Sequence, residues 1–177
     1  MARNRVTCSR TDREPAAPAA AHSVMQIGTR VACAALFAIC ASAAWAAPMK
    51  RETLVISTGA GKTEIATEIA LTPAEQEIGL MFRTSIGDKD GMLFIYEKPQ
   101  VITMWMHNTY VPLDMVFMGR DGTVSRIEAE AEPLSDRVIS SNTAAAAVLE
   151  LKAGTARRIG LKAGDHIESP TLHAAAP

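Results

Sequence analysis

Residues 101–118 constrain this chain most: Val-Ile-Thr-Met-Trp-Met-His-Asn-Thr-Tyr-Val-Pro-Leu-Asp-Met-Val-Phe-Met. Two apolar runs of strand length, 101–106 and 113–118, stand on either side of a polar break. Short apolar runs bounded by turn-forming residues read as buried strands. The break at 108–112 carries Asn108, Thr109 and Pro112, residue types that favour turns through local side-chain hydrogen bonds or a fixed φ. The same stretch holds Trp105, His107 and Asp114, so a site in this chain is expected here.

Similar punctuation runs through the rest of the sequence. Residues 52–57 are rich in β-branched types, 59–61 are Gly-Ala-Gly, and 63–70 set Ile65 and Ile69 against Glu64 and Glu68. That pattern is a half-buried hairpin. Thr72, Pro73 and Glu75 supply a cap, a first-position proline and a capping-box carboxylate, which together start a helix. Gly79 is placed to end it after about two turns. Residues 92–96 form a continuous apolar run, a buried strand that Pro99 ends, with 101–106 as the next strand. Gly-Arg-Asp-Gly at 119–122 is a hairpin turn joining 113–118 to 124–128. Residues 129–146 are acidic, then Ser- and Ala-rich, without a clear period, and read as a long loop. Strands at 147–151 and 166–168 and a short helix at 155–159, stopped by Gly160, complete the pattern. The phrase Leu-Lys-Ala-Gly, at 151 and again at 161, reads as repeated turn chemistry. The expected architecture is mainly β, with about eight short strands and two short helices. A small closed barrel or a two-sheet sandwich would best manage the strand edges.

Residues 1–46 are set apart from this pattern. Arg30 precedes an apolar run at 31–44, and Ala44-Trp45-Ala46 follows, the small-x-small pattern of a signal-peptide cleavage site. The run is shorter than the roughly 20 residues of a membrane span. Met25 is a more ordinary start for such a leader than Met1. Cys40 follows Phe-Ala-Ile, a poor context for lipidation. Cleavage after Ala46 leaves residues 47–177, one domain's length, destined for the periplasm or secretion with no stable membrane span. Cys8, Cys33 and Cys40 all precede the cut, so the exported chain has no disulfide, thiolate metal site or cysteine nucleophile. Beyond residue 46 stand 13 basic and 17 acidic residues, a net charge of −4 against −1 for the full chain. No basic cluster exceeds Arg157-Arg158, which argues against nucleic acid and anionic membrane surfaces as partners.

Five phrases occur in order: Gly-Leu-Met-Phe-Arg at 79–83, Gly-Met-Leu-Phe-Ile at 91–95, Trp-Met-His-Asn-Thr at 105–109, Val-Pro-Leu-Asp at 111–114 and Gly-Thr-Ala-Arg-Arg-Ile-Gly at 154–160. Together they resemble the bacterial and archaeal family called domain of unknown function 192, over about residues 54–169. The resemblance implies a compact, mainly β domain, often exported in bacteria, and implies no reaction. The chain departs from the family pattern at His107, where relatives usually carry Lys. It also lacks the cysteine pair that relatives often carry in the loop at 134–143.

Three function classes follow from the residues. The first is an exported, non-enzymatic binding or accessory module of unidentified ligand and partner. Its ligand contacts would come from Arg83, Trp105, His107, Asn108, Thr109 and Asp114, and no cofactor is called for. Tyr96, Trp105 and Tyr110 could stack on a ring, or pack as amphipathic aromatics at a core edge. The second is a small hydrolase-like enzyme using His107 and Asp114 as an acid–base pair, with Arg83 within reach of Asp114. Against it, Asn108, Thr109 and Asp114 are also the residues that a buried turn around Pro112 requires. The third is a soft-metal carrier holding Cu(I) through Met104, Met106 and His107. Strand geometry opposes it, because Met104 and Met106 face one way and His107 the other. Methionines also serve as filler in an aromatic-poor core.

Overall fold

The computed structural model describes residues 48–174; the leader reading at 1–46 lies outside them. The elements in chain order are β1 Lys50–Thr58, β2 Gly61–Ala70, α1 Pro73–Ile78, β3 Asp90–Met104, β4 Leu113–Met118, β5 Val124–Ala131, β6 Ile139–Lys152, α2 Thr155–Ile159, β7 His166–Glu168 and α3 Pro170–Ala174. All seven strands join one sheet in the order β5-β4-β6-β3-β2-β1-β7. Only β2 and β3 run parallel, and α1 lies in the connection that a parallel neighbour needs. No helix among the described residues is long and apolar enough to cross a membrane.

The mainly β class stands, but the expected closed barrel or two-sheet sandwich does not. The sheet curls as a half-barrel whose outer strands, β5 and β7, meet at one end through a single bridge, Thr123 to His166. Gly122 makes that approach possible. Its φ is +82°, and a Cβ there would fall 2.2 Å from the Ile167 carbonyl oxygen. The Ile167 N–H donates to the Gly122 carbonyl at 3.0 Å.

Three further expectations need correction. The two strands read at 92–96 and 101–106 are one strand, β3, which runs through Pro99. Pairing with β6 slips between Ile95 and Gln100, and a bulge is where a sheet tolerates a residue without an N–H. Arg120 holds the bulge by donating to the Tyr96 and Glu97 carbonyls at 2.5 and 2.9 Å. The long loop at 129–146 is mostly strand, with only 132–138 between β5 and β6. Alanine is a poor strand former in isolation, but Ala145, Ala146 and Ala147 are wholly buried, Ala145 paired with β3 and Ala147 with both β3 and β4. The helices number three among the described residues, the addition being α3, whose Leu172 is buried.

The other elements form as their chemistry dictates. Thr72 accepts from the Glu75 N–H, and the Glu75 carboxylate accepts from the Thr72 N–H, closing the capping box. Gly79 ends α1 at φ +47°. Apolar side chains cover both faces of the sheet. One cluster gathers Leu54, Ile65, Leu93, Val116, Leu149 and Ile167 beneath α2 and α3. The other gathers Met92, Phe94, Ile102, Met115, Phe117 and Val148. Neighbours along β3 and β6 alternate between the two, so these strands read as unbroken apolar runs. Glu150 interrupts that run near the middle of the sheet, paired in register with Met92 and Met115.

Candidate functional site

Asp114 is fully buried. Its Oδ1 accepts from the Glu130 and Gly154 N–H groups at 2.9 and 3.1 Å, and its Oδ2 from Ala156 at 2.8 Å. Helix α2 has Gly154 at its N-cap and no side-chain cap of its own. Asp114 therefore caps it from a neighbouring strand and ties it to the end of β5. His107 turns elsewhere: its Nδ1 lies 2.7 Å from Asp136 Oδ1, and its ring stacks on Trp105 at 5.0 Å. The expected pairing of His107 with Asp114 is not formed, since three backbone donors occupy the Asp114 carboxylate. Nor does Arg83 reach Asp114. It makes a two-pronged contact with Glu68 at 3.1 and 2.5 Å, and Arg51 binds the same carboxylate at 2.5 Å. The Arg83 hydrogen bond is the main cause holding the Glu68 carboxyl below its ordinary value.

Asn108 and Thr109 build the turn. Asn108 sits at φ +53°, and its carbonyl accepts from the Phe82 N–H at 2.9 Å. The Thr109 carbonyl accepts from Leu134 N–H at 3.1 Å, while its hydroxyl donates to the His107 carbonyl at 3.2 Å. Phe82 and Leu134 are themselves left-handed, at +62° and +59°. Both are exposed, together with Trp105 and Tyr110, and Phe82 meets Tyr110 edge-on at 6.4 Å. A bulky residue at positive φ costs about 1–3 kcal/mol, and such strain concentrates at functional sites. Two such bulky residues, Phe82 and Leu134, hydrogen-bonded to either side of the Asn108–Thr109 turn, mark this face.

Beside that face opens a cavity of about 170 Å³ between α1, β3 and the turn. Trp105 and Thr109 line it; Arg83, His107, Asn108 and Asp114 do not. Its aromatic wall is Phe94, Tyr96 and Trp105, and Met81 and Met104 add thioethers. Glu150 lines it as well, only 4% exposed. Burial pushes the Glu150 carboxyl up to about 8, against a smaller downward pull from the Arg83 charge; no hydrogen bond contributes. Burial also raises the Tyr96 phenol, with Glu150 adding to the effect. A carboxyl that stays protonated at neutral pH can donate a hydrogen bond to a guest, and can become a counter-charge when a cation arrives.

Glu150 is the residue that the reading of motifs passes over. Its signal is present, one acid inside the apolar run Ala-Val-Leu-Glu-Leu at 147–151. Of the copper candidates, Met104 lines the cavity and Met106 is buried in the core at 1% exposure, while His107 is engaged with Asp136. Among the described residues no cluster of three or more His, Cys, Asp or Glu side chains is arranged to hold a metal ion.

Fold and sequence together define the class. The family model for domain of unknown function 192, described as Uncharacterized ACR, matches residues 55–169. The chain belongs to that family. A solved structure from Sinorhizobium meliloti 1021, described as a "putative transcription regulator", is 39% identical, with a TM-score of 0.68. The match covers 70% of this chain and 96% of that one. A protein of unknown function from Novosphingobium aromaticivorans DSM 12444 is 38% identical, with a TM-score of 0.67, covering 71% of this chain and 94% of that one. No curated protein matches.

Proposed function

We propose that this chain is an exported, non-enzymatic binding module whose cavity beside Trp105 takes a small organic ligand. The observation that carries the reading is Glu150, a carboxyl only 4% exposed that lines an aromatic-walled cavity and is raised by burial. A guest in the cavity can pair with that carboxyl, as hydrogen-bond acceptor to its protonated form or as counter-charge to its ionised form. The exposed, strained Phe82 and Leu134 are held by backbone hydrogen bonds to Asn108 and Thr109, the turn that reaches the cavity at Thr109. The leader pattern at 31–46 supports export. An acid–base enzyme finds less support, since Asp114 is committed to capping α2. Recognition of nucleic acid is also poorly supported. Arg51, Arg83, Arg126, Arg137, Arg157 and Lys152 each pair with a carboxylate, which leaves little free positive surface for phosphates.

The test is thermal melting of the purified protein against small cationic, neutral and anionic compounds. A true ligand at 100 times its dissociation constant adds about 2.7 kcal/mol. The shift should shrink in Trp105→Ala, whose side chain is 52% exposed and contributes little to the core. Equal responses of wild type and Trp105→Ala across the panel would overturn the assignment of the site.

A further inference from the structure

Resting on that cavity, we infer that its ligand is a small organic cation, held by aromatic faces and a carboxylate. The lining carries two acids, Glu77 and Glu150, and no Lys, Arg or His among the described residues. Trp105, Tyr96 and Phe94 line it, and aromatic rings attract cations through their quadrupole and build the cages that recognise quaternary ammonium groups. Met81 and Met104 add polarizable thioethers. An anion would meet no positive side chain at the wall. A neutral guest would leave the charge-forming capacity of Glu150 unused. A cavity of about 150 Å³ accommodates a six-carbon ring, so about 170 Å³ suits a guest of choline's size.

Binding in this site is coupled to a proton. With the Glu150 carboxyl at about 8, the O–H bond breaks as the cation enters, the proton passes to buffer, and the carboxylate stays as counter-charge. The other titratable groups around it are few. Glu77 lies at the α1 wall and Tyr96 on β3. The charge of Arg83 reaches Glu150 from the segment after α1, with Arg83 itself bound to Glu68. Lys152, two residues along β6, turns to Asp88 at 2.7 Å. Across the sheet, the register partners are the uncharged Met92 and Met115. His107 stacks on Trp105. Below pH 8 the cation must displace a proton, so affinity falls about tenfold per pH unit.

The experiment is calorimetric titration with choline, whose charge does not change with pH, and with its neutral isostere 3,3-dimethyl-1-butanol. The expected result is choline binding about 100-fold tighter at pH 9 than at pH 6, as follows from a carboxyl near 8. At pH 7, heats measured in buffers of different ionisation enthalpy should report about one proton released per choline bound. Glu150→Gln should abolish the pH dependence, and Trp105→Ala should weaken binding while retaining the proton release. Isostere binding as tight as choline's, with no pH dependence, would overturn the cation inference and leave the cavity reading standing. Heat or thermal shift from neither compound, in wild type at millimolar concentration, would overturn both.

Discussion

Replacing Glu150 with Gln should change how the stability of this protein depends on pH. The side chain is 4% exposed, and burial lifts its carboxyl from an ordinary 4.5 to about 8. In the unfolded chain the group ionises near 4.5; in the folded chain it keeps its proton until about 8. Between those values the unfolded state binds fewer protons, so stability falls as pH rises. The cost is absent below pH 4.5, grows through the window and is complete above pH 8. The gap between 4.5 and about 8, at about 1.4 kcal/mol per pH unit, is about 5 kcal/mol, and about 3 kcal/mol has been lost by pH 7. Glutamine has nearly the same shape and never ionises, so the variant escapes this loss. It carries only a pH-independent offset from burying its own amide. Thermal unfolding of both proteins from pH 4 to pH 9 should show the variant gaining on wild type as pH rises. For a domain of this size, at about 4 °C per kcal/mol, the relative gain by pH 7 is about 12 °C. Parallel curves across that range would refute the claim that Glu150 is a buried, proton-holding group.

Other consequences can be measured as directly. Asp114→Ala should cost about 3–5 kcal/mol in urea unfolding, because it strips the acceptors from three backbone N–H groups; a loss under 1 kcal/mol would contradict the capping role. Arg83→Ala removes the charge that draws the Glu150 carboxyl down, so the midpoint of its ionisation should rise, and an unchanged midpoint would break that link. Leu134→Asn places a residue tolerant of φ +59° at an exposed site. It should raise stability by about 0.5–1 kcal/mol, and a loss of that size would show that Leu134 is not strained. Protein recovered from the exported fraction should begin at Ala47 by N-terminal sequencing; a chain beginning at Met1 or Met25 would refute the leader reading.

Local chemistry made much of the fold legible. The capping box at Thr72 and Glu75, the hairpin turns at 59–60 and 119–122, and the Gly160 stop of α2 depend on near neighbours, so the sequence alone specifies them. Tertiary context decided the rest. The Ala144–147 run has no period of its own and becomes strand because β3 flanks it, with β4 joining at Ala147. Pro99 reads as a strand end, but a bulge pinned by Arg120, distant in sequence, lets β3 continue. The site was half legible. Trp105 and Thr109 do line the cavity, and the turn around them carries the strained residues. Asp114 and His107 looked like partners because the sequence sets them seven residues apart. Their actual partners, Ala156 and Asp136, come from other parts of the chain. Glu150 is not legible from motifs, because a single acid in an apolar strand belongs to no spacing pattern. Its meaning comes from the cavity that Trp105 and α1 close over it.

The most direct measurement is a carboxyl carbon NMR titration of Glu150, with and without choline, identified by the signal lost in Glu150→Gln. The account predicts a midpoint near 8 in the free protein and a lower one with choline bound, as the cation favours the carboxylate. A midpoint near 4.5, or one that choline leaves in place, would contradict a buried carboxyl that serves as the counter-charge of a bound cation.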